Sequence, residues 1–181
     1  MKQIYQTLIL AVFSGILVGI GGILYVSSTN QIIGAVLFSF ALILIVGRGY
    51  NLFTGKVGYL LPYKKGNLKL ISLTLLGNTI GIFAVTSLFL LSGKTQALVN
   101  ADTIFQAKLA QTWYETLVLA IFCGFMMYLA VDSYAKIKNQ VASVLAVIFA
   151  VVIFIVAGFE HSIADMSYIV LSKSFTFDNT L

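Results

Sequence analysis

Charge is what this chain has least of. Of its 181 residues only 9% are Asp, Glu, Lys or Arg, while 60% are hydrophobic. A soluble domain of this length needs a polar shell that such a composition does not supply, so an integral membrane protein is implied. There is a single cysteine, Cys123, which excludes an internal disulfide framework and a thiolate metal cluster. A single histidine, His161, excludes a histidine-built metal site. No glycine-rich phosphate loop follows a strand pattern, and no cofactor is expected. The net charge of +5 is not read as a nucleic-acid patch, because the lysines fall at the ends of apolar runs.

Apolar runs are what the chain does have. The first covers residues 7–26, long enough to span a bilayer and too long for a cleavable signal region. Gly15, Gly19 and Gly22 form a small-residue stripe along it, read as a helix-packing surface. The second run covers 32–46 and then breaks over 47–56, Gly-Arg-Gly-Tyr-Asn-Leu-Phe-Thr-Gly-Lys. Apolar residues resume at 57–61, too few to span alone, so a broken helix is expected. The third run covers 70–91, with Asn78 between Gly77 and Gly81 and placed to bond a neighbouring helix. Residues 92–111 are polar and read as the longest loop. The fourth run, 112–131, opens on Trp113 and Tyr114, residues typical of a membrane interface, with Glu115 one turn in. Glu115 and Arg48 read as architectural partners, and Cys123 as a small packing residue. The fifth run covers 141–157 and continues, after an interruption, as 166–171.

Orientation follows from the cations. Lys2, Lys64, Lys65, Lys69, Lys136 and Lys138 fall on one side of these spans; Lys94, Lys108 and Lys173 fall on the other. A multi-pass protein of the cell membrane with a cytoplasmic amino terminus is expected, and five crossings would leave the carboxy terminus outside.

The second interruption, Ala157-Gly-Phe-Glu-His-Ser-Ile-Ala-Asp165, holds His161 with Glu160 beside it. Titratable groups between two apolar runs are costly in lipid, and their default reading is a functional site. Interrupted helices at matching places in two halves point to a binding site at mid-membrane. Half-helix ends offer free N–H groups and the positive end of a dipole, which favours a small anion.

Phe159-Glu160-His161-Ser162-Ile163-Ala164-Asp165-Met166 resembles the fifth-helix signature of the formate/nitrite transporter family. Leu52-Phe53-Thr54-Gly55 resembles that family's second-helix loop, Gly77-Asn78 its third helix, and Thr112, Glu115 and the segment up to Val131 its fourth. The resemblance covers nearly the whole chain. It implies an all-α integral membrane fold, an aquaporin-like inverted-repeat helical bundle with broken second and fifth helices. One transmembrane domain, 1–181, would hold a first repeat over about 1–93 and a second, incomplete one over about 108–181. The family has six spans, and the sixth would begin where this sequence stops. A homopentamer in the lipid bilayer is implied, each protomer with its own pore for small monovalent anions and protons.

Carried over by position, the resemblance implies that His161 faces the pore and that Thr54 bonds the histidine or the substrate. It places Phe38, Leu42 and Phe154 at an outer apolar constriction, and Leu52, Phe53 and Met127 near an inner one. Lys108 would attract anions to the outer vestibule. Glu160 is the histidine's neighbour, either lining the pore or holding the break. The sequence departs from the family pattern at Gly124, where asparagine is usual, at Asn51, where an acidic residue is usual, and at Asp165, where asparagine is usual.

The implied mechanism is passage of formate, nitrite, hydrosulfide or a similar anion, neutralised by a proton supplied by or through His161. Neutralising a charge is cheaper than carrying it through apolar rings, and histidine titrates near neutrality, with an unperturbed pKa of about 6.5. The bland alternative for His161 is a structural bridge between half-helices. Two other functions compete: a neutral-solute channel of the aquaporin kind, and an intramembrane hydrolase using Glu160 and His161. The first lacks paired Asn-Pro-Ala motifs, since Pro62 is the sole proline. The second lacks a nucleophile set.

Overall fold

The computed structural model describes residues 2–61, 63 and 65–172. Pro62, Lys64, Lys173 and residues 174–181, with the expectations attached to them, lie outside the described residues. The described residues form eight helices: α1 (Lys2–Ser27), α2 (Gln31–Gly47), α3 (Phe53–Val57), α4 (Asn67–Leu90), α5 (Thr95–Leu109), α6 (Trp113–Lys136), α7 (Gln140–Val156) and α8 (Ser162–Leu171).

Among the described residues, three helical stretches are long and apolar enough to cross a membrane: Ile4–Ser27, Asn67–Leu90 and Trp113–Lys136. The other two apolar segments are each split into a longer and a shorter helix, α2 with α3 and α7 with α8. Helix α1 packs chiefly on α4 and α2, α6 on α7, and α7 on α2; α8 lies against α4, α5 and α1. The small-residue stripes make the α1–α4 contact. A Cβ on Gly15 would overlap the Asn78 carbonyl, and one on Gly81 would overlap the Val12 carbonyl. Farther along α1, a Cβ on Gly22 would meet the Ser167 hydroxyl of α8.

Polar caps mark where the helices start. The Asn30 side chain accepts the Ile32 and Ile33 N–H groups at 2.9 and 3.1 Å and starts α2. Asn139 accepts the Ala142 N–H at 3.0 Å and starts α7. These side chains satisfy N–H groups that a first helical turn leaves unpaired. Helix α6 starts on a reciprocal capping box between Thr112 and Glu115, so Glu115 is an architectural partner.

Two expectations are corrected. Residues 92–111 are not a loop, because α5 fills most of that stretch. Its apolar content is too low to read as a span, but Ala97 and Ala101, one turn apart, are buried with Val26, Tyr168 and Leu171. The half-helix after the first break begins at Phe53 rather than at residue 57. Its start is held from outside by Asn78 of α4, whose Oδ1 accepts the Phe53 N–H at 2.8 Å. The same side chain donates to the Ala11 and Asn51 carbonyls at 2.8 and 2.9 Å. Asn78 thus ties α1, the break and α3 together, a wider role than bonding one neighbouring helix.

Much of the apolar surface faces outward. On α6 the exposed residues include Leu117, Val118, Ile121, Phe122 and Phe125, whereas Cys123, Met127 and Ala130 are buried. The main core gathers Phe38, Leu42 and Ile45 of α2 with Val151 and Phe154 of α7, Met127 of α6, Leu52 of the first break and Ile163 of α8.

Candidate functional site

The two breaks share one local geometry. Helix α2 ends at Gly47 and is followed by Gly49 at φ +66°; α7 ends at Val156 and is followed by Gly158 at φ +70°. Left-handed backbone favours glycine, and neither glycine is replaced here by a residue bearing a Cβ. In each break the next residue's N–H reaches back five residues, Tyr50 to Ile45 and Phe159 to Phe154, at 2.9 Å in both. This is the Schellman way of closing a helix. Three residues past the glycine the chain is extended, at Leu52 and at His161, and a half-helix starts.

His161 caps its own half-helix. Its Nδ1 accepts the Ala164 N–H at 2.9 Å, and a backbone N–H can only donate, so the neutral ring carries its proton on Nε2. Nε2 lies 2.9 Å from Thr54 Oγ1 and 3.1 Å from Met127 Sδ. The ring stacks on Phe154, with centroids 5.3 Å apart, and Phe154 meets Phe38 edge-on at 6.0 Å. His161 is 2% exposed.

Three cavities meet in sequence at this point. One of about 130 Å³ is lined by Lys108, Asp165, Phe159, Phe154 and His161, with Tyr25 and Tyr168 on its far side. A second, of only about 10 Å³, shares Phe154 and His161 with the first and is closed by Phe38, Leu42, Leu52 and Met127. The third, about 210 Å³, shares Leu52 with the second and is lined by Lys56, Tyr59, Tyr50 and Tyr134. The result is an hourglass whose waist has room for about one water molecule.

Of the residues singled out in the sequence, Phe38, Leu42, Phe154, Leu52, Met127 and His161 surround one waist. Residues expected at the outer constriction and at the inner one thus line the same small cavity with the histidine. Phe53 lines none of the three cavities. Val18 and Val151 also line the waist; nothing in the sequence separates them from ordinary core valines. Gly124 is exposed and lines none of the cavities. Asn51 donates from its side chain to the Thr7 carbonyl at 3.1 Å, anchoring the first break to α1. Arg48 is exposed at the end of α2.

The charged cluster differs most from the sequence reading. Lys108 Nζ lies 2.8 Å from Glu160 Oε1 and 3.1 Å from Asp165 Oδ1. Gln111 donates to the same Glu160 oxygen at 3.0 Å. Lys108, expected to attract anions, is thus ion-paired with two carboxylates. Burial works against the ammonium, but Asp165 and Glu160 outweigh it and hold the Lys108 pKa above the ordinary lysine value. Glu160 points into this cluster, and its bonds to Lys108 and Gln111 tie the second break to the end of α5 and the residue pair after it. Sequence reasoning gave Gln111 no role, and it carries no signal that would have found it.

The formate/nitrite transporter family model matches residues 1–177. A formate-nitrite transporter of Plasmodium malariae is 31% identical over 202 residues, which cover 91% of this chain and 64% of that protein. The formate channel FocA of Escherichia coli (strain K12) is 26% identical, over 91% of this chain and 65% of its own length. The chain thus spans just under two thirds of the length of these curated relatives. Among solved structures, a pentameric formate channel with formate bound superposes with a TM-score of 0.85 and 27% identity, covering 94% of this chain and 75% of the other. An ion channel of the same family shares the fold at a TM-score of 0.81 and 22% identity.

Proposed function

The chain belongs to the formate/nitrite transporter family, and from that premise we propose that it carries small monovalent anions of weak acids across a membrane. Formate, nitrite and hydrosulfide are the model solutes. The observation that carries this reading is the hourglass: two cavities, each with a lysine in its lining, separated by an apolar waist whose one polar edge is His161 with Thr54.

A bare anion loses its water in such a waist and gains one hydrogen-bond donor, which does not compensate it. The neutral acid crosses instead. With Nδ1 committed to the Ala164 N–H, the ring offers only its Nε2–H to the solute. His161 then serves as a hydrogen-bond donor that orients the acid at the waist, in place of Thr54 or Met127. For the ring to take up a second proton, Nδ1 would have to leave that N–H. Proton-linked passage therefore needs its proton before the waist.

The remaining parts of the reading are a homopentamer, in line with the pentameric formate channel it superposes on, and inverted repeats over about 1–93 and 108–181. A cytoplasmic amino terminus would turn the Lys108 cavity outward and the Lys56 cavity inward. A water channel is disfavoured by the width and apolar lining of the waist.

The test is flux of labelled formate, nitrite and acetate, and of hydrosulfide by a sulfide probe, into proteoliposomes holding the full chain. Uptake that rises as outside pH falls supports the reading. Water flux without acid flux overturns it.

A further inference from the structure

The vestibule cluster contains one positive charge and two carboxyl groups. Glu160 receives two donors on one oxygen, Lys108 at 2.8 Å and Gln111 at 3.0 Å, and is well served as an anion. Asp165 shares the same ammonium at the longer distance of 3.1 Å. The groups facing Asp165 are Lys108 from α5, Glu160 and His161 from the break, Tyr168 along α8, Tyr25 from α1 and Cys123 from α6. At neutral pH only Lys108 and Glu160 among them bring charge, because His161 is held neutral by its cap. With Asp165 ionised the cluster is one negative charge in excess, at the mouth of a path meant for anions. With Asp165 protonated it is neutral. Asp165 also lines the cavity of about 130 Å³ that ends on His161, so its carboxyl meets an arriving solute before the waist does.

We propose that Asp165 is the proton-delivering residue of this path. Protonated, it leaves Lys108 and Glu160 balanced and lets a small anion into the vestibule. Its O–H bond then breaks, the proton forms a new bond to the anion's oxygen, nitrogen or sulfur, and the product is the neutral acid with an Asp165 carboxylate. No electrons change hands. The acid moves on past Phe154 and His161, while the negative cluster repels a second anion until a proton from the bulk restores Asp165. Anion and proton thus enter one for one. This rests on the reading of the chain as a path for weak acids.

The experiment combines flux with infrared spectroscopy on the full chain in liposomes. Near neutral pH, where ordinary carboxyls are ionised, the wild type should show a carboxylic-acid carbonyl band that disappears as pH is raised and that is absent from Asp165→Asn. In formate uptake, Asp165→Asn should lose up to roughly tenfold per pH unit of steepness relative to wild type, the contribution of one titrating proton. Asp165→Glu should keep both the band and the steepness, which separates loss of the proton from loss of the fold. A band near neutral pH that persists in Asp165→Asn, no such band in wild type, or identical pH profiles would overturn the proposal. If the wild type carries none of the weak acids, the functional reading fails, and the infrared band still decides whether Asp165 holds a proton.

Discussion

The two breaks are built alike and finished differently. Each has a left-handed glycine, a five-residue backbone return, then an extended residue that opens a half-helix. In the first break that residue is Leu52, which has no side-chain cap, and the α3 start is held by Asn78 from another helix. In the second it is His161, which caps α8 itself and still turns its other nitrogen to the waist. Leu52 and His161 face the same small cavity from its two sides. The shared frame shows that backbone placement does not require histidine; a leucine with outside help does the same. What His161 adds is a polar atom on a waist that is otherwise apolar.

The largest effect expected from breaking this comparison is at Asn78. Asn78→Leu leaves the half-buried Phe53 N–H without its acceptor and removes two further bonds, to the Ala11 and Asn51 carbonyls. Each buried group left unpaired costs about 1–3 kcal/mol, so a total loss of roughly 3 kcal/mol or more is expected. Thermal unfolding in detergent should show it, together with loss of flux. A variant as stable as wild type would mean that α3 does not depend on α4.

Gly49→Ala and Gly158→Ala come next. Each forces a Cβ into left-handed backbone, with a cost of about 1–2 kcal/mol, and neither Cβ would meet a neighbour. The two should therefore lose equal stability but unequal function, since only Gly158 positions His161 and Glu160. Equal loss of flux would show that the breaks contribute alike.

The two jobs of His161 can be separated. His161→Asn keeps an acceptor for the Ala164 N–H, whereas His161→Ala gives it up at a cost of about 1 kcal/mol. Both lose the Nε2–H, so both should lose flux while only the alanine variant melts lower. Normal flux in the asparagine variant would remove the ring from the mechanism. The smallest effect belongs to the matched helix starts. Asn30→Ala and Asn139→Ala should each cost about 0.5–2 kcal/mol, with Asn30 the larger because it serves two N–H groups and Asn139 one. Reversal of that order would mean that the second Asn30 bond adds nothing.

These contrasts also show what could be read in advance. The spans were legible because apolar runs of that length have few other uses, and the breaks because glycines and charges interrupt them. Helix α5 was not legible: it buries two alanines rather than a hydrophobic run. The restart at Phe53 was hidden because its cap lies 25 residues away on Asn78. The pairing of Lys108 with Glu160 spans 52 residues, and a lysine in a polar stretch looks the same whether it is free or clamped. Local pattern shows where the chain stops being helical; only the assembled bundle shows what fills the gap.

The narrowness of the waist has a consequence for the membrane that holds this protein. Protons cross proteins along unbroken files of water, and a space for about one water between Phe38, Leu42, Leu52 and Met127 cannot hold such a file. As it stands, the waist offers no continuous file of water across the bundle. On the proposed reading, a proton would cross only inside the acid it has already joined.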